Sequence, residues 1–164
     1  MADPMSTQVR RPQDQAELIE ALIRSDKPGS HGAFKTYRDV MLFSAAVGWE
    51  ARREEPFTQA HLPIEWSIIV NGFGAEQLID LIAFSQTGDA EVLASERLPE
   101  RVRIFESYAN GGLHIIDELM KREALTPEEA VHKLTTRQLL RDQRDLEEET
   151  APDIRELEKG LGLD

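Results

Sequence analysis

Leu98-Pro99-Glu100-Arg101-Val102-Arg103-Ile104-Phe105-Glu106-Ser107-Tyr108-Ala109-Asn110-Gly111-Gly112-Leu113-His114-Ile115-Ile116-Asp117-Glu118-Leu119 is the stretch that decides the fold. Leu98, Val102, Phe105, Ala109, Gly112, Ile116 and Leu119 follow one another in alternating steps of four and three, which places them on one stripe of an α-helix. Ile104, Tyr108 and Ile115 widen the stripe, and Pro99 sits in the first turn, where its missing N–H is no loss. Gly111 and Gly112 each lower helix propensity by roughly 1 kcal/mol. Their presence at mid-helix predicts the close approach of another helix, for which the apolar segment 37–47 is the candidate. Gly112 lies on the stripe and Gly111 beside it, so Gly111→Ala is expected to be neutral or slightly stabilising while a larger residue at Gly112 is not tolerated.

Outward from this helix, Leu18, Ile19, Leu22 and Ile23 recur at helical spacing and predict a short amphipathic helix over 15–24. Thr36 and Asp39 form a capping pair ahead of a helix through Val40, Met41, Ala45 and Val47, with Gly48 as its stop. Leu78, Leu81, Ile82 and Ser85 mark a further helix closed by Gly88, and Asp89 can cap a short one over 90–94. Thr126-Pro127-Glu128-Glu129 is a capping box with proline at the first helical position. Ile64, Trp66, Ile68 and Val70 alternate, so 64–70 reads as a strand. Its partner is expected around Glu50–Phe57 or in a second subunit. The class is therefore mainly α: a compact helical domain of about six helices with one short strand or β-hairpin near 50–70. Residues 1–13 read as a flexible arm, 14–141 as the helical domain, and 142–164 as an acidic linker with a C-terminal docking helix over 152–160, where Ile154, Leu157 and Leu161 recur.

The chain has 164 residues, enough for one real core, and carries 31 acids against 19 bases for a net charge of −12. That charge disfavours tight binding to bare duplex DNA and suits docking onto a basic protein surface. The absence of cysteine excludes disulfides, thiolate metal sites and cysteine nucleophiles. No signal peptide or membrane-spanning run is present, so a cytoplasmic protein without membrane association is expected.

No chemistry-bearing motif stands out. Glu129 and His132 have the spacing used in carboxylate di-metal bundles, but the only comparable pair, His114 and Asp117, is reversed. His31 and His61 fall in loops without ligand partners nearby. Gly72-Phe73-Gly74 lacks the third glycine of a dinucleotide fingerprint, and no Lys-Ser/Thr follows it or Gly111-Gly112. No pair of carboxylates is singled out as a general acid and base. Neither a catalytic residue nor a cofactor is expected, and the chain reads as no enzyme. The basic clusters are Arg10-Arg11, Arg52-Arg53 and Arg101/Arg103, which are candidates for contact with a partner or a phosphate. Trp66 and Tyr108 fall on apolar stripes and read as core.

Several blocks together resemble a known family. They are an Arg-Arg-Pro arm, Phe34-Lys35-Thr36-Tyr37-Arg38-Asp39-Val40-Met41-Leu42-Phe43-Ser44-Ala45-Ala46-Val47-Gly48-Trp49, Arg52-Arg53-Glu54-Glu55-Pro56, Leu78-Ile79-Asp80-Leu81-Ile82-Ala83, Thr87-Gly88-Asp89, and Ile104 through Leu113. In this order, over about residues 10–120, the chain is similar to Dnd-system associated protein 4, the small accessory protein encoded beside the system that replaces a DNA phosphate oxygen with sulfur. The resemblance implies a place in bacterial DNA phosphorothioation and the linked restriction of foreign DNA, and it brings no catalytic motif. The first reading is a non-enzymatic adaptor whose partners are other proteins of the antiphage defence operon, with homo-oligomerisation left open. The alternative is a small DNA-binding module that recognises modified DNA or DNA ends through the clustered arginines. A nuclease using an acidic cluster with magnesium ranks last.

Overall fold

A computed structural model describes residues 7–25 and 32–150. The chain divides into two units, Met1–Val131 and His132–Asp164. Among the described residues the order of elements is β1 (Gln8–Pro12), α1 (Ala16–Ile23), α2 (Tyr37–Glu50), β2 (Ala60–Glu65), α3 (Trp66–Ile69), α4 (Ala75–Thr87), α5 (Leu98–Glu123) and α6 (Pro127–Thr150). Short 3-10 turns at Gln13–Gln15, Ala90–Leu93 and Ser95–Arg97 join them. The fold is mainly α with one two-stranded antiparallel sheet, as the sequence predicts.

In the first unit α5 is the axis. Its stripe is buried from Leu98 to Leu119, with Phe105, Ala109, Leu113 and Ile116 wholly inside, and α2 lies against it along the glycine pair. A Cβ on Gly112 would stand 2.6 Å from the Ser44 carbonyl carbon and closer still to its oxygen. A Cβ on Gly48 would stand 3.0 Å from the carbonyl carbon of Tyr108. The two helices therefore touch backbone to backbone, an approach only residues without Cβ permit. This corrects the role of Gly48: α2 runs through it to Glu50, and the glycine makes room for α5 instead of stopping its own helix. Gly111 also differs from expectation. Its Cβ would come within 2.8 Å of the Arg53 carbonyl carbon, so both glycines carry close contacts within a continuous helix.

The sheet departs from the expected pairing. β2 meets β1, not the 50–57 segment, in the register Gln8↔Glu65, Val9↔Ile64, Arg11↔His61 and Pro12↔Ala60. Residues 8–12 of the expected loose arm are thus an integral strand, with Val9 wholly buried. From Trp66 the chain turns into α3, and Trp66 and Ile69 point inward at the three-residue spacing of a helix where an alternating strand was expected.

The caps are local and follow the sequence. The Asp39 N–H donates to Thr36 Oγ1 at 3.2 Å, and the Glu91 N–H donates to Asp89 Oδ1 at 2.9 Å. Gly88 ends α4 at φ 66°, the left-handed conformation. At Thr126 the capping box is reciprocal: the Thr126 N–H donates to Glu129 Oε2 at 2.8 Å and the Glu129 N–H to Thr126 Oγ1 at 3.3 Å. The second unit is helical as far as Thr150, so 142–149, expected as a linker, continues α6. Its Leu139, Leu140 and Leu146 are exposed. The expected docking helix over 152–160 lies outside the described residues.

Candidate functional site

The fold uses most of the candidate arginines internally. Arg10 donates through its backbone N–H to Glu106 Oε1 at 2.6 Å and through Nη2 to Oε2 at 2.6 Å, while its guanidinium also lies 5.1 Å from the Phe57 ring centre. The Glu106 side chain is only 3% exposed and the Arg10 side chain 43%, so the pair fixes β1 to α5 with the carboxylate buried and the guanidinium half in solvent. Its hydrogen bond holds the Arg10 pKa above the usual arginine value. Arg11 is buried, donates to the Leu62 carbonyl at 2.7 Å and covers the Tyr37 ring at 4.0 Å. Arg53 is chelated by Glu118, at 2.8 Å from each of two nitrogens, and also donates to Glu55. That bridge depresses the Glu118 pKa.

Arg101 is buried beneath the turn at 90–94 and donates to the carbonyls of Val92 and Ala94, both at 2.8 Å. Its Nε is 2.9 Å from Asp80 Oδ1, yet neither atom completes a hydrogen bond, so that contact is an ion pair without N–H alignment. Burial raises the Asp80 pKa, and the Arg101 charge opposes the shift. Only Arg52 and Arg103 of the six are exposed. The structure therefore ties Arg10 and Arg53 to different acids of α5 and turns Arg11 and Arg101 inward, in place of one basic face.

His114 is the best surrounded histidine among those described. Its Nε2 is 3.2 Å from Glu55 and 3.8 Å from Asp14, with the Gln15 amide 3.3 Å from Nδ1. Among the described residues no group of three or more histidine or carboxylate side chains converges as a metal site. His132 takes an exposed position on α6.

Two surface features escaped the sequence reading. A cleft of about 620 Å³ opens where α2 and α4 both end, lined by Trp49, Glu50, Arg52, Glu54, Gln86 and Tyr108. Its wall is a relay in which Tyr108 Oη donates to Gln86 Oε1 and Gln86 Nε2 donates to Glu54 Oε2 at 3.0 Å. Burial, with the Glu54 charge, raises the Tyr108 pKa. Arg52 stands on the rim at φ 52°, a left-handed conformation that non-glycine residues rarely adopt. The second feature is the outward row of α4, where Leu81 and Phe84 are 54% and 43% exposed while Ile79, Ile82 and Ala83 are buried. Leu81 and Phe84 were readable as a signal, because Leu78 through Phe84 holds more apolar residues than one buried face requires. Another cleft of about 640 Å³ lies between α1 and the start of α6, bordered by Glu17, Glu20, Arg24 and Pro127.

Fold and surface together define a small, mainly helical protein, with charged residues tied into its own framework and apolar side chains offered on one helix. The family model described as DNA sulphur modification system-associated protein 4 matches residues 8–155, and the chain belongs to that family. No curated protein and no solved structure matches it. The match takes in all of β1 and α6, beyond the 10–120 span on which the resemblance rests. No helix among the described residues is long and apolar enough to cross a membrane.

Proposed function

We propose that the chain is a non-enzymatic accessory subunit, an adaptor that joins other proteins of a bacterial DNA phosphorothioation system and its linked antiphage restriction in the cytoplasm. Family membership supplies the association with DNA sulphur modification. The observation that carries the adaptor reading is the exposed apolar surface of the first unit. Ile68, Phe73, Leu81, Phe84 and Leu93 are all between 43% and 109% exposed, in a unit whose core is otherwise closed. Large apolar side chains left in solvent side by side, as Leu81 and Phe84 are on α4, mark protein contacts more often than chemistry.

The test is affinity purification of the tagged chain from its native host under nuclease treatment. A stoichiometric companion encoded with the modification system is the expected result, and a chain that always comes down alone would end the reading. The DNA-binding alternative would draw on exposed Arg52 and Arg103 and on Arg10, whose side chain is 43% exposed, against a net charge of −12.

A further inference from the structure

We infer that the outward row of α4, together with the cleft at its C-terminal end, is the docking surface for a basic amphipathic helix of a partner protein. The proposal rests on the accessory-subunit reading and specifies where and by what chemistry the partner is held. The apolar part comes first. Leu81 and Phe84 are three residues apart on α4 and both face away from Ile79, Ile82 and Ala83, so they share the outward row. Arg101 fixes what lies beside them. It holds Asp80 on α4 and the carbonyls on either side of Leu93, so the turn that carries exposed Leu93 is packed against α4. Three large side chains thus stand in solvent on adjoining, rigid elements.

The charge of the surroundings selects the occupant. Ser85 lies four residues after Leu81, on the same side of α4, and lines the cleft that the apolar row leads into. Trp49 and Glu50 come from the last turn of α2, and Ser85 and Gln86 from the last turn of α4. Both helices therefore present their carbonyl ends there, each equivalent to roughly half a negative charge. Glu50 and Glu54 add carboxylates, and Arg52 is the basic residue of the cleft lining. Glu91 and Glu96, exposed on the turns next to Leu93, continue the acidic border. A neutral or acidic segment would leave this border unneutralised. A helix with an apolar stripe flanked by lysine or arginine would cover Leu81, Phe84 and Leu93 and lay a cation against the Trp49 ring and the Glu54 carboxylate.

The full-length tagged chain is compared in the native host with a Leu81→Asn/Phe84→Asn double variant, a Glu54→Gln variant and a Leu62→Asn control. Leu81, Phe84 and Leu62 are exposed, and circular dichroism melts confirm that the variants fold. The expected result is at least a tenfold loss of the co-encoded partner in the double variant. A smaller loss is expected for Glu54→Gln and none for Leu62→Asn, and cross-links from α4 should reach a lysine- or arginine-rich segment. Retention of the partner by the double variant overturns the surface and leaves the adaptor reading standing. A wild-type chain that brings down no partner overturns both. Cross-links to a second copy of this chain, to an acidic segment or to nucleic acid overturn the assignment of the occupant.

Discussion

Alanine at Gly112 should destabilise the protein even though alanine is the better helix former. In an isolated helix the change would contribute about 1 kcal/mol in favour of folding. Here the new methyl would stand 2.6 Å from the Ser44 carbonyl carbon and 3.0 Å from the Gly48 nitrogen, where carbon–carbon contacts are most favourable near 3.5–4.0 Å. Both obstacles are backbone, so no rotamer change relieves the overlap and α2 must move off α5 by about an ångström. Overpacking costs about 1–3 kcal/mol and occasionally more, and a backbone obstacle places this site at the upper end. The net loss is then about 2 kcal/mol, or roughly 4–8 °C in Tm for a chain of this size. Gly111→Ala should behave the same way against the Arg53 carbonyl. Gly88→Ala is the control, because a Cβ there meets nothing within 4 Å and only its φ of 66° opposes the change. Far-UV thermal melts of the three variants decide the matter. A Gly112→Ala protein as stable as the parent would refute the backbone-to-backbone contact.

Further outcomes follow from the same structure. Ser44→Ala removes a wholly buried hydroxyl without a hydrogen-bond partner and should be neutral or stabilising by up to about 1 kcal/mol in urea melts, and a clear loss would show a hidden partner. Val9→Ala should cost about 1.5–3 kcal/mol, because Val9 is wholly buried in β1, and truncation through residue 9 should be at least as harmful. Thr126→Ala should cost about 1 kcal/mol through loss of the cap, and an unchanged denaturation midpoint would place the start of α6 outside the cooperative unit. Asp89, Glu100, Glu118 and Glu129 have folded pKa values below their ordinary 3.8 and 4.5: the Glu91 N–H and then Arg97 hold Asp89 down, Arg97 holds Glu100, Arg53 holds Glu118 and the α6 cap holds Glu129. Their contribution is present above the ordinary values and lost as pH falls through the folded ones, so Tm should decline below about pH 4.5. A flat profile between pH 5 and about pH 3 would show that these pairs contribute nothing.

What the sequence made legible was local. The stripe of α5, the caps at Thr36, Asp89 and Thr126 and the stop at Gly88 depend on residues within a few positions of each other, and each stands as read. The failures are long-range. Val9 is the only apolar residue in Gln8–Pro12, too little for a periodic signal, and its partner Ile64 lies 55 positions on (64 − 9). Gly48 shows that a glycine near a helix end satisfies two different needs: a left-handed stop or the approach of another backbone. Local pattern cannot separate them. The pairing of the arginines is long-range in the same way, since Arg10 finds its acid 96 residues away and Arg53 finds Glu118 65 residues away. The outward face of α4 was legible only as an excess of apolar residues over 78–84, and only burial distinguishes Ile82 from Leu81.

The most direct test of the functional account is the composition of the complex isolated from the native host with the full chain as bait, after nuclease treatment and at moderate salt. The account predicts a fixed ratio of this chain to another protein encoded with the DNA sulphur modification system, unaffected by nuclease and weakened as salt screens the acidic border. Recovery of the chain alone, or of a companion that disappears with the nucleic acid, would contradict it.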